Sequence, residues 1–187
     1  MSKLRFEPVT PDRWPDFEHL FGQKGACGGC WCMYWRQSQK EYDRHKGADN
    51  KRRMKKLIAA GEVPGILGYE GNEPVAWCAV QPREQFPRLG RSPTLKPIDD
   101  TPVWSVVCFY IAKPYRRQGV SVKILKAAVK YVKQQGGRMV EGYPYEPGSE
   151  KWPDAFAWSG TTAAFKRAGF KEVARPSRTR AIMRKKV

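Results

Sequence analysis

The sequence has no long hydrophobic run, and only 18 of its 187 residues are acidic. No stretch approaches the roughly 18 consecutive apolar residues that a membrane-spanning helix needs. The first residues, Met1 to Glu7, also lack the apolar core of a signal peptide. These absences predict a soluble protein of the cytoplasm that does not associate with a membrane.

Histidine and cysteine are also scarce. The sequence has 2 histidines, and neither lies near a Gly-x-Ser-x-Gly turn, which argues against a Ser-His-Asp hydrolase. The 5 cysteines are an odd number, and Cys78 and Cys108 lie in apolar runs where a free thiol behaves as a small hydrophobic side chain. This pattern argues against the disulfide framework of a secreted domain.

The chain does contain enough apolar residues for a core, and it has a large excess of positive charge. A hydrophobic fraction of 41% with 12% aromatic residues excludes wholesale disorder. Because a chain of this length buries roughly 70% of its unfolded surface, we expect one domain over residues 1–187. The net charge of +17 attracts polyanions, which include nucleic acid, anionic membranes and small molecules that carry phosphate.

Hydrophobic periodicity predicts an α/β fold with a mixed central sheet of six to seven strands and about four flanking helices. The strongest strand covers residues 103–112, a nearly continuous apolar run of the kind that is buried on both faces of a sheet. Residues 82–102 and 144–158 are rich in proline and are predicted as loops. The predicted strands are 3–9, 66–70, 74–81, 103–112, 138–143, 170–174 and 180–185, and the predicted helices are 11–21, 42–60, 120–135 and 161–168.

A basic turn with one glycine follows the central strand and leads directly into a helix. The first N–H groups of a helix have no internal partners and lie at the positive end of its dipole, so they bind phosphate oxygens. Gly119 allows an anion to approach the backbone, and Arg116 and Arg117 add charge-assisted hydrogen bonds. The sequence has no GxxxxGK[ST] motif and no GxGxxG motif after its first strand, so the phosphate ligand is neither a nucleoside triphosphate nor a dinucleotide.

Residues 111–121, with the sequence IAKPYRRQGVS, resemble the acetyl-CoA signature [Q/R]-x-x-G-x-[G/A] of the Gcn5-related N-acetyltransferase (GNAT) superfamily. Arg116, Gly119 and Ser121 take the three defined positions, with serine in place of the usual glycine or alanine. Residues 162–170, TAAFKRAGF, resemble the later helix of the family, which typically ends in a Tyr-containing run followed by Gly-Phe. Because the order of elements also agrees over nearly the whole chain, the chain is identified as a bacterial-type member of this superfamily.

The resemblance implies an acyltransferase that uses acetyl-CoA as its acyl-donor cosubstrate. It implies transfer of the acetyl group to a primary amine of a small molecule or peptide, by direct attack within a ternary complex. The main chain of the central strand would pair with the pantetheine arm and polarise the thioester carbonyl. The implied cofactor contacts are Tyr110, Ile111, Ala112, Arg116, Arg117, Gln118, Gly119, Val120, Ser121, Phe165 and Lys166. The acceptor is not identified, and the oligomeric state, with a homodimer as one option, stays open.

Acetyl transfer to an amine needs a base for the amine and a proton for the departing thiolate. The resembled family often has a tyrosine general acid where this chain has Phe165, which cannot donate a proton. Tyr143 or Tyr145 is then the candidate acid, unless water suffices for a thiolate whose conjugate acid has a pKa of about 8.5. Glu141 is the candidate base, and a structural ion pair is the alternative role for this carboxylate.

A Cys27-x-x-Cys30-x-Cys32 motif lies between the first two predicted helices. The spacing is compatible with three zinc ligands and either of the two histidines as a fourth, but a closed site usually has a second well-spaced pair. We therefore predict no metal site. We expect this segment to pack its aromatic residues against the core or to line the acceptor pocket.

Two other functions are compatible with the sequence. The C-terminal residues 175–186 contain many arginines and lysines, as an RNA-binding segment would, but no RNA-binding motif accompanies them. We favour an edge strand protected by charge, so nucleic acid is a disfavoured partner. Because Phe165 replaces the usual acid, a protein that binds CoA without catalysing a reaction is the second alternative.

Overall fold

The computed structural model describes residues 4–146 and 158–187, and one seven-stranded sheet runs through them. The strands are β1 (Arg5–Pro8), β2 (Gly65–Glu70), β3 (Glu73–Pro82), β4 (Trp104–Ile111), β5 (Met139–Gly142), β6 (Lys171–Ser177) and β7 (Arg180–Lys186). The α-helices of this part are α1 (Trp14–Phe21), α2 (Gln39–His45), α3 (Ala48–Ala59), α4 (Pro87–Arg91), α5 (Val120–Gln134) and α6 (Thr162–Arg167). The predicted α/β fold with a mixed central sheet is confirmed.

The strand order is β1-β2-β3-β4-β5-β7-β6, and every neighbouring pair is antiparallel except β4 and β5. The parallel ladder between β4 and β5 covers three residue pairs and ends where Val106 faces Gly142. The second half of β4, from Val107 to Ile111, continues along β3 alone. The central strand therefore has an edge that β5 does not cover, in the middle of the sheet.

A β-bulge in β4 changes the directions of its side chains at this point. Ala79 of β3 faces Cys108, but the next residue, Val80, faces Val106, so Val107 is the extra residue. Val107 and Cys108 consequently pack on the same face of the sheet, while Val106 and Phe109 pack on the other. The indole N–H of Trp35 donates to the carbonyl of Val107 at 3.1 Å, which satisfies a main-chain group that the bulge leaves outside the ladder.

Two apolar layers cover the faces of the sheet. On one face, α5 contributes Val120, Ile124, Leu125, Ala128 and Val132, as its helical spacing predicts. On the other face, α1 and the segment after it contribute a cluster of stacked aromatic rings. In this cluster the ring centroids of Phe17 and Phe21 lie 4.0 Å apart, and Phe17 meets the edge of Trp77 at 5.0 Å.

The structure corrects four expectations from the sequence. The helix predicted over 42–60 is two helices, because Lys46 leaves the helical conformation and Gly47 has a φ of +80°. The loop predicted over 82–102 contains the short helix α4. Together these differences give more helices than the four expected. The C-terminal strand β7 is not an edge, since it lies between β5 and β6, and the exposed edge is β6.

Two further expectations concern the loops and the membrane. Most of the proline-rich loop predicted over 144–158 lies outside the described residues, which resume at Trp158. Within residues 4–146 and 158–187, no helix combines the length and the apolar character that crossing a membrane requires.

Candidate active site

A cavity of about 570 Å³ lies beside the uncovered half of β4. Its volume is within the range of about 300–1,000 Å³ that is usual for small-molecule sites. One part of its wall is formed by β4 and the turn before α5, and another by the segment that precedes α2. The sequence predicted the first part from a local motif, whereas the second brings together side chains from separate regions.

The uncovered edge of β4 presents main-chain groups to the cavity. The carbonyls of Val107 and Ile111 accept hydrogen bonds from side chains, at 3.1 Å from Trp35 and at 2.9 Å from Arg116. Because main-chain groups of alternate residues point to the same side of a strand, the N–H and C=O of Phe109 face this edge as well. The N–H of Ala112, in contrast, donates to Val75 at 2.9 Å on the opposite side.

The turn before α5 has the conformation that an anion site requires. Gly119 is the N-cap of α5 and is left-handed, with a φ of +75°, and a Cβ added there would meet no atom within 4 Å. The first amides of the helix, at Val120 and Ser121, lie at the positive end of its dipole, and Ser121 lines the cavity. Arg117 is also left-handed, at a φ of +60°.

Arg116 and Gln118 hold this turn in place. The Nε of Arg116 donates to the carbonyl of Ile111 at 2.9 Å, which joins the turn to the end of β4. The side chain of Gln118 donates to the carbonyl of Pro114 at 2.6 Å. Five of the eleven predicted cofactor contacts line the cavity, namely Tyr110, Ile111, Arg116, Arg117 and Ser121, whereas Ala112, Gln118, Gly119, Val120, Phe165 and Lys166 are not part of its lining.

Glu141 and Tyr143 lie in a buried polar network that does not line the cavity. Both carboxylate oxygens of Glu141 are bound, one by Arg83 at 3.0 Å and the other by Arg184 at 2.7 Å. The phenol of Tyr143 donates to Glu141 at 2.6 Å and lies 2.8 Å from the hydroxyl of Ser105. Burial raises the pKa of the Tyr143 phenol well above its usual value. This arrangement is the ion pair that the sequence left as the alternative role for Glu141.

Phe165 and Lys166 lie on α6, away from the cavity wall. The ring of Phe165 is fully buried, and its centroid lies 6.0 Å from that of Phe109. A Cβ added at Gly142, where β5 ends, would come within 2.1 Å of this ring. Phe165 therefore fills the space at the point where β4 and β5 part. Lys166 is exposed on the last turn of α6.

Tyr145, the other candidate acid, forms bridges with Thr161 and Arg180. Its N–H donates to the carbonyl of Gly160 at 2.9 Å, and the Arg180 guanidinium lies 5.5 Å from its ring centroid. Gly160 and Thr161 line the cavity, but Tyr145 is not part of that lining.

The cavity also has a sulfur-rich wall that the sequence did not predict as a unit. Cys27, Cys30 and Cys32 line it together with Cys108 of β4. The sulfur atoms of Cys32 and Cys108 lie 3.7 Å apart, and the indole N–H of Trp77 donates to the Cys32 sulfur at 2.7 Å. The apolar strand around Cys108 predicted a core residue, because no sequence signal shows that the bulge turns its thiol toward the motif.

The candidate zinc ligands do not converge. His19 is bonded to Glu73 at 3.0 Å, and His45 to Asp49 at 3.1 Å. In residues 4–146 and 158–187, the structure brings together no group of three or more histidine, cysteine or acidic side chains that could hold a metal ion.

Cys30 has an environment that favours its thiolate. A hydrogen bond from Cys32, assisted by main-chain N–H groups of Cys32, Cys27 and Cys30, lowers the pKa of the Cys30 thiol to about 6 against the opposing effect of burial. Burial instead raises the pKa of the neighbouring thiols of Cys27 and Cys32. In its protonated form, Cys30 donates to the carbonyl of Gly25 at 3.6 Å.

Alkylation of Cys30 by iodoacetamide should reach its full rate at lower pH than an ordinary cysteine, because only the thiolate reacts. With a pKa of about 6, the rate should rise between pH 5 and 7 and then level off. The measurement is the pH dependence of alkylation of peptide 25–36 in a Cys27→Ser variant, which removes the exposed neighbouring thiol. A rate that still climbs steeply above pH 8 would contradict the assignment.

Aromatic rings form another part of the cavity wall. Tyr34, Trp35, Tyr42 and Trp158 all line it. The ring centroid of Tyr34 lies 5.2 Å from Trp35, 5.1 Å from Tyr42 and 5.3 Å from Trp158. Trp31 packs instead in the core, 5.6 Å from Phe21. Aromatic residues within and after the cysteine motif thus pack in the core or line this cavity, and that the cavity holds the acceptor stays a prediction.

Comparison with known proteins gives a family match and many similar structures. Residues 29–147 match the model of the Acetyltransferase (GNAT) family. A GNAT-family acetyltransferase from Listeria monocytogenes has a TM-score of 0.58 at 10% identity, with 100% of this chain and 96% of that chain covered. A GNAT-family acetyltransferase from Streptococcus agalactiae has a TM-score of 0.57 at 12% identity, with 98% and 95% covered.

A third similar structure is the PaiA N-acetyltransferase from Thermoplasma acidophilum in complex with coenzyme A. It has a TM-score of 0.56 at 12% identity, with 99% of both chains covered. At these identities the structural likeness shows the fold. No curated protein sequence matches the chain.

Proposed function

The chain belongs to the GNAT acetyltransferase family, and from this premise we propose that it transfers the acetyl group of acetyl-CoA to a primary amine by direct attack within a ternary complex. One observation carries the proposal: a single cavity joins the uncovered main-chain edge of β4 to the N-terminus of α5. The first feature suits an extended amide-containing arm, and the second suits a diphosphate. Coenzyme A has both parts.

The turn from Arg116 to Ser121 would hold the diphosphate. The amides of Gly119, Val120 and Ser121 lie at the positive end of α5, where anions bind without a dedicated side chain. The Ser121 hydroxyl adds a donor in place of the more usual glycine or alanine. Arg116 contributes positive charge and, through its bond to Ile111, fixes the distance between the turn and the strand. The cofactor contacts implied at Phe165 and Lys166 lack this support, because both residues lie on α6, outside this turn and the edge of β4.

The edge of β4 would bind the pantetheine arm and polarise the thioester. Main-chain groups of Phe109 and Ile111 face the cavity, and an N–H group aimed at a developing oxyanion lowers the barrier for acyl transfer. Acetyl-CoA supplies the activated acyl group, and its departing thiolate has a conjugate acid with a pKa of about 8.5, which makes it a tolerable leaving group.

The geometry supports a positioning role for Glu141 and Tyr143. Both oxygens of Glu141 accept hydrogen bonds from arginines, and the Tyr143 proton is directed at Glu141 rather than at the cavity. Their network joins β5 to the loop before α4 and to β7, so it holds the strands that diverge beside the cavity. We propose that water accepts the proton of the amine and protonates the thiolate.

The acceptor is proposed to be a small-molecule or peptide amine with an apolar or aromatic body. The described residues that line the cavity include four cysteines and several aromatic rings, but no aspartate or glutamate. A wall of this kind favours apolar contacts and offers no anion to a polycationic amine. We also propose that the chain works as one domain in the cytoplasm, where its free thiols remain reduced.

Calorimetry and a thiol-release assay test the proposal. CoA should bind with measurable heat and should stabilise the fold by about 2.7 kcal/mol at a concentration of 100 times its Kd. A panel of primary amines should include at least one that releases free thiol from acetyl-CoA faster than buffer does. Binding of CoA with no active amine in a broad panel would identify a binding protein instead. Retention of oligonucleotides with a steep salt dependence, and no response to CoA, would favour a nucleic-acid module.

A further inference from the structure

The sulfur-rich wall of the cavity is not explained by acetyl transfer. Four of the five cysteines of the chain line this one cavity, and the fifth, Cys78, is fully buried in the layer on the other face of the sheet. None of the five forms a disulfide in the structure. The backbone amides and the turn before α5 supply what donor binding requires, so the clustering of thiols needs a separate account.

Cys32 and Cys108 are positioned to form a disulfide. Their sulfur atoms lie 3.7 Å apart, against about 2.05 Å in the bond. Cys32 belongs to the segment before α2, whereas Cys108 lies on β4 beside the bulge, so a bond between them would join two separate walls of the cavity. At 3.7 Å the two sulfur atoms are already in van der Waals contact.

Cys30 is the thiol that we expect to react first. The segment that carries it is held in an unusual backbone conformation, in which Ala26, Trp31 and Cys32 have φ values of +63°, +43° and +55°. L-residues rarely adopt such values, and residues held in them cluster at functional sites. In this segment a hydrogen bond from the Cys32 thiol, with further hydrogen bonds from main-chain N–H groups, lowers the pKa of the Cys30 thiol to about 6. The side chain is only partly buried and faces the cavity, so a small oxidant can reach it.

We propose that Cys30, Cys32 and Cys108 form a hydroperoxide-sensitive thiol site, in which Cys30 is oxidised first and a disulfide between Cys32 and Cys108 is the final product. Hydrogen peroxide or an organic hydroperoxide is the oxidant. This site is independent of the acceptor amine and goes beyond the proposed acetyl transfer.

The reaction balances in three steps. The Cys30 thiolate attacks the distal oxygen of the hydroperoxide; an S–O bond forms, the O–O bond breaks, and the released alkoxide or hydroxide takes a proton from water. The Cys32 thiol then attacks the Cys30 sulfenic acid, and the hydroxyl leaves as water with the Cys32 proton. Finally the Cys108 thiol loses its proton to solvent and attacks the Cys32 sulfur, which releases the Cys30 thiolate. Cys30 is the favoured leaving group because its thiol has the lowest pKa.

Peptide mapping of the wild-type protein tests the proposal without any assay of acetyl transfer. The protein is treated with stoichiometric hydrogen peroxide, blocked with an alkylating reagent and digested with trypsin. Cleavage after Lys24, Arg36, Arg91 and Arg116 places three cysteines in peptide 25–36 and Cys108 alone in peptide 92–116, since the two internal lysines of the latter precede proline. We expect these two peptides to be linked, with the loss of two hydrogens and recovery on reduction by dithiothreitol. Dimedone added with the peroxide should label Cys30.

Matched variants separate the roles of the thiols. Cys30→Ser should slow formation of the linked peptides at least about tenfold at pH 7, because an ordinary thiol with a pKa of about 8.5 is only a few per cent ionised there. Cys27→Ser, three residues away and exposed, should leave the rate unchanged within about twofold. Cys108→Ala should abolish the linkage but still allow dimedone to label Cys30. Thermal melting with and without reductant checks that each variant folds.

Several results would overturn the proposal. They are dimedone on Cys27 rather than Cys30, a disulfide confined to peptide 25–36, and an equal rate of linkage in Cys30→Ser and wild type. If the proposed acetyl transfer is also correct, the linked protein should show a fall of at least about tenfold in kcat/KM, because the bond ties the segment before α2 to β4 and draws two walls of the cavity together beside the Phe109 edge. Failure of that last assay alone, with the linkage observed, would count against the proposed function and not against the thiol site.

Discussion

Gly119→Glu should raise the Kd for CoA by at least about 100-fold. The new side chain would extend into the open space in front of the first amides of α5, where a diphosphate would otherwise lie. Its carboxylate would compete for those amides and repel the phosphates. Loss of two charge-assisted hydrogen bonds at about 1.5 kcal/mol each corresponds to roughly a 100-fold change in affinity. Isothermal calorimetry with CoA measures the effect.

Gly136→Glu is the matched control for this change. Gly136 follows the other end of α5, has a φ of +77° against +75° at Gly119, and a Cβ there would also meet no atom within 4 Å. Both substitutions should therefore cost a similar amount, about 1–2 kcal/mol for a left-handed non-glycine residue, measured by urea unfolding. Only the change at Gly119 should weaken CoA binding. Wild-type affinity in Gly119→Glu would refute the assignment of the turn, and equal losses in both variants would attribute the effect to backbone strain.

Glu141→Gln should destabilise the protein by about 3–5 kcal/mol, the usual cost of removing one partner from a buried ion pair. The Glu141 side chain is 2% exposed, and the side chains of its partners Arg83 and Arg184 are 12% and 9% exposed. Glutamine has no charge to offset the two guanidinium groups. Arg184 keeps its hydrogen bonds to Asp99, at 2.6 and 3.0 Å, but Arg83 is left buried beside a neutral amide. Urea unfolding followed by tryptophan fluorescence measures the loss.

Glu172→Gln provides the comparison at a carboxylate of the same type. Glu172 on β6 binds Arg175 at 2.8 and 2.7 Å, but the pair lies at the surface, so its removal should cost only about 0.2–1 kcal/mol.

Turnover of the Glu141→Gln variant separates the two roles of this carboxylate. If Glu141 holds structure, the folded fraction of Glu141→Gln should turn over at a rate within about tenfold of wild type. If Glu141 is instead the base, turnover should fall by roughly two orders of magnitude or more while the protein loses less than about 1 kcal/mol of stability.

The part of the cavity wall formed by β4 and the turn before α5 could be predicted from local sequence, because each of its features has a local cause. The apolar run from Val103 forms β4, and Gly119 takes a left-handed conformation that begins α5. Only seven residues connect the end of β4 at Ile111 to Gly119, so the turn has to lie close to the end of the central strand. A motif of eleven residues thereby specifies the relation between strand edge and helix N-terminus.

The part of the cavity wall formed by the segment before α2 could not be predicted in the same way, because its residues meet β4 across long distances along the chain. Cys108 contacts Cys32, which is 76 residues away along the chain. The side of the sheet on which the Cys108 side chain lies depends on the β-bulge in β4, and no feature of the local sequence predicts that bulge. The same is true of Glu141, which lies outside the cavity wall. Its partners Arg83 and Arg184 are 58 and 43 residues away along the chain, and only the strand order of the folded sheet brings them together. The sequence makes Glu141 a candidate base, because no local pattern indicates that Arg83 and Arg184 bind its carboxylate.

The sequence by itself therefore determined the class of fold, the central strand, and the glycine turn that leads into α5. Periodicity, helix capping and chain connection act over a few residues, and their physical causes are visible in the residues themselves. The tertiary structure alone decided which thiols line one wall, that Phe165 fills the gap between β4 and β5, and that β7 is an interior strand. These outcomes depend on pairing register and packing between distant segments, which a local pattern does not specify.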